Sequence, residues 1–157
     1  MAVDYFLKLD GIKGESKDSK HVDEIDILSW SWGLSQPGAL ATGGSSTGKV
    51  QFQDFHFTKR TDRSSPVLIL KCAKGEHIKE GLITARKSGD DAVEFLKIKL
   101  TDVLVSSHQS SAGGDVPSES FSVNYAQVEY SYFPQKEDGT LGPPITAAWD
   151  LRKNEPI

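Results

Sequence analysis

The feature that most constrains this chain is the recurrence of hydrophobic residues at every second position along nearly its whole length. The alternation is clearest in these segments: 3–9, 28–34, 50–57, 77–87, 92–107, 119–133 and 145–151. A period of two is typical of β-strands that bury one side. The sequence therefore predicts a mainly β fold with about seven strands.

The alternation changes phase twice, which predicts two β-bulges. One extra residue is expected near Gln53, and a second near Tyr125 and Ala126. A bulge adds one residue to a strand and bends it. Long, bent strands suit a barrel of two packed antiparallel sheets or a tight sandwich.

One segment, residues 65–75, departs from the strand pattern. It offers a Ser-Pro start, lysine in the last turn and a glycine at the end, which together predict a short flanking helix. Its branched residues would equally suit a strand. In the helix, Leu68, Ile69 and Cys72 would face inward, and Cys72 is expected to be a small core residue rather than a reactive thiol.

Composition narrows the class of protein. The chain has 157 residues, 18 Lys plus Arg and 22 Asp plus Glu, with a net charge of −4. That length suits one domain over residues 1–157, and the acidity disfavours a nucleic-acid partner. The longest apolar run has four residues, whereas membrane insertion needs about 20. The N-terminus lacks a secretory leader, and a single cysteine fits synthesis in a reducing cytoplasm.

Two glycine- and serine-rich stretches, residues 36–48 and 106–118, are predicted to be mobile loops. Loops of this length are uncommon in compact domains and are often binding segments. A tip without a role is an equally open interpretation.

No pattern of catalytic or metal-binding residues is present in the sequence. The four histidines, residues 21, 56, 77 and 108, have no partner at a metal-ligand spacing. Residues 43–49 have the glycine and lysine spacing of a phosphate-binding loop. That motif requires Ser or Thr after the lysine and then a helix, whereas here Val50 follows and begins a predicted strand. We therefore expect no catalytic residue, no metal and no cofactor, and thus no enzyme.

The segment 28–34 has two contrasting faces. One face is large and apolar, while the other offers only Ser29, Ser31 and Gly33. The tryptophans are expected to pack in the core. The small polar face suits a close neighbour or the wall of a water-filled space.

A series of ordered motifs resembles the haemolysin-coregulated protein (Hcp) family across nearly the whole chain. The motifs are KGESKD at 13–18, HVDEID at 21–26, WSWG at 30–33, FTK at 57–59, SP at 65–66, VLVSS at 103–107, residues 121–128 and PQK at 134–136. The resemblance implies a tube subunit of the bacterial type VI secretion system, a β-barrel that assembles as hexameric rings. Stacked rings would form a hollow tube, expelled by a contractile sheath beneath a trimeric spike protein and carrying effector proteins in its lumen. Such a protein is cytoplasmic first and then secreted without a signal peptide.

Two sets of residues are candidates within that resemblance. Ser29 and Ser31 are expected to line the lumen and contact effectors. The ring-stacking candidates lie in the first loop: Thr42, Gly43, Gly44, Ser45, Ser46 and Thr47. The alternative function is a free-standing β-sandwich that binds carbohydrate through an exposed tryptophan, and a hydrolase is a third.

Overall fold

The computed structural model describes residues 2–38, 48–88 and 92–157, and in these ranges it contains eleven strands and one helix. The elements in chain order are β1 (Val3–Leu9), β2 (Ile25–Ile27), β3 (Ser29–Ser31), β4 (Leu34–Ser35), β5 (Gln51–Phe52), β6 (Phe55–Arg60), α1 (Ser65–Lys74), β7 (His77–Lys87), β8 (Val93–Ser111), β9 (Ser118–Tyr132), β10 (Ile145–Asp150) and β11 (Glu155–Pro156). The predicted mainly β class with one short helix is confirmed.

Nine strands form one antiparallel sheet in the order β2-β1-β7-β8-β9-β10-β11, with β6 pairing with the first half of β9 and β3 pairing with β6. β4 and β5 form a separate two-stranded ribbon. Among the described residues the sheet does not close, so the predicted barrel is not confirmed. Only Leu28 separates β2, which pairs with β1, from β3, which pairs with β6.

The core lies on the inner face of this strongly bent sheet. Alternate residues of each strand point inward, and Phe55, Phe57, Ile98, Leu100 and Phe121 are almost completely buried. This is the period-two pattern of the sequence expressed as one buried face.

The helix is present as predicted, over Ser65–Lys74, with Gly75 at φ 65° ending it. Glycine suits this left-handed position because it has no Cβ. Leu68 is fully buried and Cys72 half-buried, but the expectation for Ile69 is wrong, since its side chain is 47% exposed. A helix packs only one stripe of its surface against a sheet, and Ile69 lies outside that stripe.

The predicted single strand over residues 28–34 is divided into β3 and β4. Leu28 and Leu34 are 48% and 51% exposed, so they do not join the core as the pattern predicts, and the two tryptophans are half-buried. The division arises because β3 pairs with β6 whereas β4 pairs with β5.

The first predicted irregularity coincides with the break between β5 and β6, at residues 53–54. At the second, Tyr125 and Ala126 are both buried and the pair Asp102–Ala126 is missing from the β8–β9 ladder, so the alternation changes phase where predicted. The ladder keeps its register there, however, and the extra residue is Ser106, between Val105 and Ser107. The mobile loop expected over 106–118 is also wrong, because only residues 112–117 lie between the strands. Serines continue the ladder since its hydrogen bonds come from the backbone and need no apolar side chain.

Candidate functional site: an aromatic groove and a serine face

An apolar groove of about 490 Å³ lies where β3, β4 and β5 meet the second half of β9 and β10. We call it the aromatic groove, and its lining residues are Trp30, Trp32, Gly33, Leu34, Phe52, Val128, Tyr130, Ala147, Ala148 and Trp149. Trp32 stacks on Phe55 at 4.9 Å and also faces Tyr130. Aromatic side chains of this size dominate the energetics of cores and interfaces alike.

A partly buried hydrogen-bond chain orients Trp32, one of the lining residues of the groove. Trp32 Nε1–H donates to the Tyr125 hydroxyl at 2.6 Å, and that hydroxyl donates to the carbonyl of Gln53 at 2.8 Å. Burial raises the pKa of Tyr125 to about 12, which keeps the hydroxyl a donor at physiological pH. The orientation of Trp32 is therefore fixed by polar bonds as well as by stacking.

β10 forms the rim of the groove, and the side chains on its groove-facing side are exposed at the start of the strand. Ile145 is 70% exposed, and Ala147 on the same face is exposed as well. β10 pairs with β9 along its length. On its other side, within residues 2–38, 48–88 and 92–157, the strand pairs are those of Trp149 and Asp150 with β11. Exposed sheet edges beside apolar surface are sites at which further strands or chains associate.

The opposite face of the sheet is small and polar near β3. Directly paired residues share a face, and the ladders bring these residues together in what we call the serine face: Ser29, Ser31, His56, Thr58, Ser107, Gln109, Ser120 and Ser122. Ser29 and Thr58 join through their hydroxyls at 2.6 Å. The two predicted residues Ser29 and Ser31 thus lie exposed on one polar surface.

Sequence reasoning found the β3 part of this surface and missed the rest. Thr58 and Ser120 come from distant segments, and only the pairing of β3 with β6 and of β6 with β9 unites them. The alternation of small polar residues at 118, 120 and 122 was the available signal. The sequence analysis did not predict the groove, because its lining residues come from separate segments, 30–34, 52, 128–130 and 147–149.

Three of the four histidines lie beside carboxylates. His21 contacts Glu24, His77 contacts Asp102 at 2.7 Å, and His108 lies 3.5 Å from Glu119. Over the described ranges no group of three or more His, Cys, Asp or Glu side chains is arranged to hold a metal ion. In the same ranges no helix has the length and apolar character required to cross a membrane.

The comparison with protein families decides the assignment. Residues 6–132 match the family described as "Type VI secretion system effector, Hcp". The chain belongs to the Hcp family. It is 46% identical to Protein hcp1 of Pseudomonas aeruginosa, over 98% of each chain.

Solved Hcp structures share the fold. The crystal structure of Hcp1 from Salmonella typhimurium is 36% identical, with a TM-score of 0.85 over 100% of both chains. A structure titled as a type six secretion system protein is 30% identical, with a TM-score of 0.92 over 99% of this chain and 100% of that one. The assignment to the type VI secretion system is therefore confirmed, and nothing in these comparisons favours the carbohydrate-binding alternative.

The second set of Hcp candidate residues lies outside the described residues. These are the ring-stacking candidates Thr42, Gly43, Gly44, Ser45, Ser46 and Thr47. Their role stays a prediction.

Proposed function

We propose that residues 1–157 form one structural subunit of the type VI secretion tube, in which six copies close into a ring and rings stack around a hollow lumen. The proposed partners are further copies of the chain, a trimeric spike protein, the contractile sheath and effector proteins in the lumen. Secretion follows from expulsion of the tube, and the role requires no catalytic residue. Family membership supports the proposal.

The observation that carries ring formation is the aromatic groove beside the edge of β10 that, in the described part of the chain, pairs only with the short β11. Covering this apolar surface is favourable, because each Å² of apolar area removed from water contributes roughly 25 cal/mol of stability. A second copy covers it without any change to the subunit fold. Contacts between different surfaces of identical chains close into a ring when the rotation allows.

Ala147→Glu tests the groove as a subunit contact. Its side chain is exposed on the groove side of β10, so the charge is tolerated in the isolated subunit but is buried unpaired in a contact. Light scattering on a sizing column should give about 103 kDa for the unmodified protein, six times 17.2 kDa, and about 17 kDa for Ala147→Glu.

Thr146→Glu is the matched control. Thr146 is also exposed but points to the other face of β10, where it bonds Ser131. We expect it to retain the ring. Rings from Ala147→Glu, or loss of rings from both variants, would exclude the groove as a specific contact.

We propose that Ser29 and Ser31 line the lumen, where small polar side chains leave space and bind cargo weakly. Replacing Ser31 by Gln should reduce retention of a co-expressed effector while hexamers persist. Ser110→Gln is the control, because Ser110 is exposed and pairs with Glu119 on the opposite face of the sheet. Loss of the hexamer from Ser31→Gln would instead place Ser31 at a subunit contact.

We propose that residues 42–47 contact the adjacent ring. Their deletion should leave single rings of normal mass and abolish stacking, measured by electron microscopy as tube length. Tubes of normal length would exclude this role.

Charge sets the salt dependence of stacking. Six copies with a net charge of −4 give −24 per ring. If repulsion dominates, higher ionic strength should lengthen tubes, because salt screens charges beyond about 8 Å at 0.15 M. Shorter tubes at higher salt would indicate specific ion pairs between rings.

A further inference from the structure

His21 occupies a buried position between two carboxylates. Its Nδ1 lies 2.9 Å from Glu24 Oε2, and its Nε2 lies 2.6 Å from Glu94 Oε1. The ring is 7% exposed and stacks on Phe6 with a centroid separation of 4.2 Å and an interplanar angle of 8°. The two nitrogens point in opposite directions, so the three groups cannot converge on one ion.

This geometry restricts the protonation state of the imidazole. A neutral imidazole has one donor nitrogen and one acceptor nitrogen, whereas an ionised carboxylate only accepts. Two carboxylates at hydrogen-bond distance therefore require both ring nitrogens to donate. We propose that His21 is doubly protonated in the folded protein and acts as a proton-dependent clasp between the β1–β2 connection and β8.

Charged groups surround the clasp. Among the residues that the structure describes, Glu24 and Glu94 contact the ring directly, and Asp18 lies beside it through the backbone bond from His21 N–H. The nearby cations are paired with these carboxylates: Arg86 with Asp18, and Lys97 with Glu94.

Glu94 is held in its ionised form. Burial disfavours its carboxylate, but the hydrogen bond and charge of His21, with Lys97 3.4 Å away, outweigh burial and keep the pKa of Glu94 below its ordinary value. Lys97 favours the ionised carboxylate independently of His21. An ionised carboxylate only accepts, so the hydrogen between the two groups comes from His21 Nε2.

The clasp holds a connection that has little regular structure of its own. Residues 10–24 join β1 to β2 through isolated backbone bonds, such as Ser16 N–H to the Glu24 carbonyl and Asp23 N–H to the Ser16 carbonyl. Glu24 belongs to this connection while Glu94 belongs to β8. Loss of the His21 proton removes one of the two bonds and frees the connection to open.

The protonation state can be observed directly. Long-range proton–nitrogen correlation spectra of the full chain at pH 7.5 should give His21 the shifts of a ring with two protonated nitrogens. A spectrum with one unprotonated His21 nitrogen at this pH would overturn the proposal. The measurement needs no variant, so it does not depend on how a mutant folds.

Hydrogen exchange tests the consequence for the connection. If opening releases the His21 proton, the protection factors of amides in residues 14–24 should fall about tenfold per pH unit above about pH 7, after correction for base-catalysed exchange. The sign follows because the closed state binds one proton more than the open state. Amides of the β8–β9 ladder should show no such slope.

Glu94→Gln separates the proton from the contact. The amide can donate to a neutral imidazole, so the variant keeps the hydrogen bond without requiring a second ring proton. We expect its protection factors to lose the pH slope, while Glu129→Gln, at an exposed site on β9, retains it. An unchanged slope in Glu94→Gln would refute the clasp.

Discussion

The two halves of β9 differ in what their side chains contact. Residues 118–123 pair with β6 and bury charged groups near α1, whereas residues 127–132 pair with β10 and leave apolar groups uncovered at the aromatic groove. In the first half Lys59, fully buried, donates to Glu119 at 2.5 Å and to Asp62 at 2.9 Å. In the second half the buried Asp150 accepts from Gln127 and from the backbone of Lys153, whereas Val128 and Tyr130 line the aromatic groove.

The difference separates folding from assembly. A buried charge must find its partners within the same chain, because an unpaired one costs several kcal/mol. Exposed apolar surface carries no such penalty and can be covered later by another copy. We therefore expect substitutions in the first half to destabilise the subunit, and substitutions in the second to weaken association.

The largest effect should come from Glu119→Ala. It leaves the Lys59 ammonium buried with one carboxylate lost, which should lower the free energy of unfolding by about 3–5 kcal/mol. Urea denaturation in the Ala147→Glu background measures this without a contribution from subunit association. Glu129→Ala, at an exposed site on the same strand, is the control and should change stability by less than about 0.5 kcal/mol.

A double substitution tests the origin of that loss. Replacing Lys59 by Met together with Glu119 by Leu removes both charges and should cost less than Glu119→Ala alone. An equal or larger loss from the double variant would mean that packing, not the unpaired charge, dominates this half of β9.

The intermediate effect lies at the junction between the halves. Tyr125→Phe removes the hydroxyl that accepts from Trp32 and donates to Gln53, so the indole N–H of Trp32 and the carbonyl of Gln53 both lose their partner. We expect a loss of about 1–3 kcal/mol in urea denaturation. Tyr132→Phe, at a side chain that is 46% exposed, should have little effect. Equal losses from both variants would contradict a specific role for the bonded hydroxyl.

Local patterns predicted most of the fold and little of the site. Alternation located the long strands, and the Ser-Pro start with Gly75 located α1, because these signals act within a few residues. The bulge at Ser106 escaped prediction because a serine-rich run has no hydrophobic phase to interrupt. Lys59 was another omission, since a lysine on a strand normally indicates solvent and only the fold brings Glu119 to it.

The candidate surfaces divide in the same way. Ser29 and Ser31 stand beside two tryptophans in the sequence, so one strand was enough to suggest a small polar face. The aromatic groove unites three regions far apart in the chain, around Trp32, Tyr130 and Trp149. The alternation within each of these regions is visible in the sequence. The strand pairing that brings the three regions together is not.

Ile145→Ser should have the smallest effect on the stability of the subunit. It should nevertheless weaken association of the subunits, which separates the two halves of β9. The side chain is 70% exposed, so its loss should change the free energy of unfolding by less than about 0.5 kcal/mol. If β10 is a ring contact, however, the same change removes apolar area that association buries in every subunit. Dilution monitored by light scattering should therefore dissociate Ile145→Ser rings at a higher protein concentration than unmodified rings. Unchanged dissociation together with unchanged stability would place the contact farther along β10, toward Trp149.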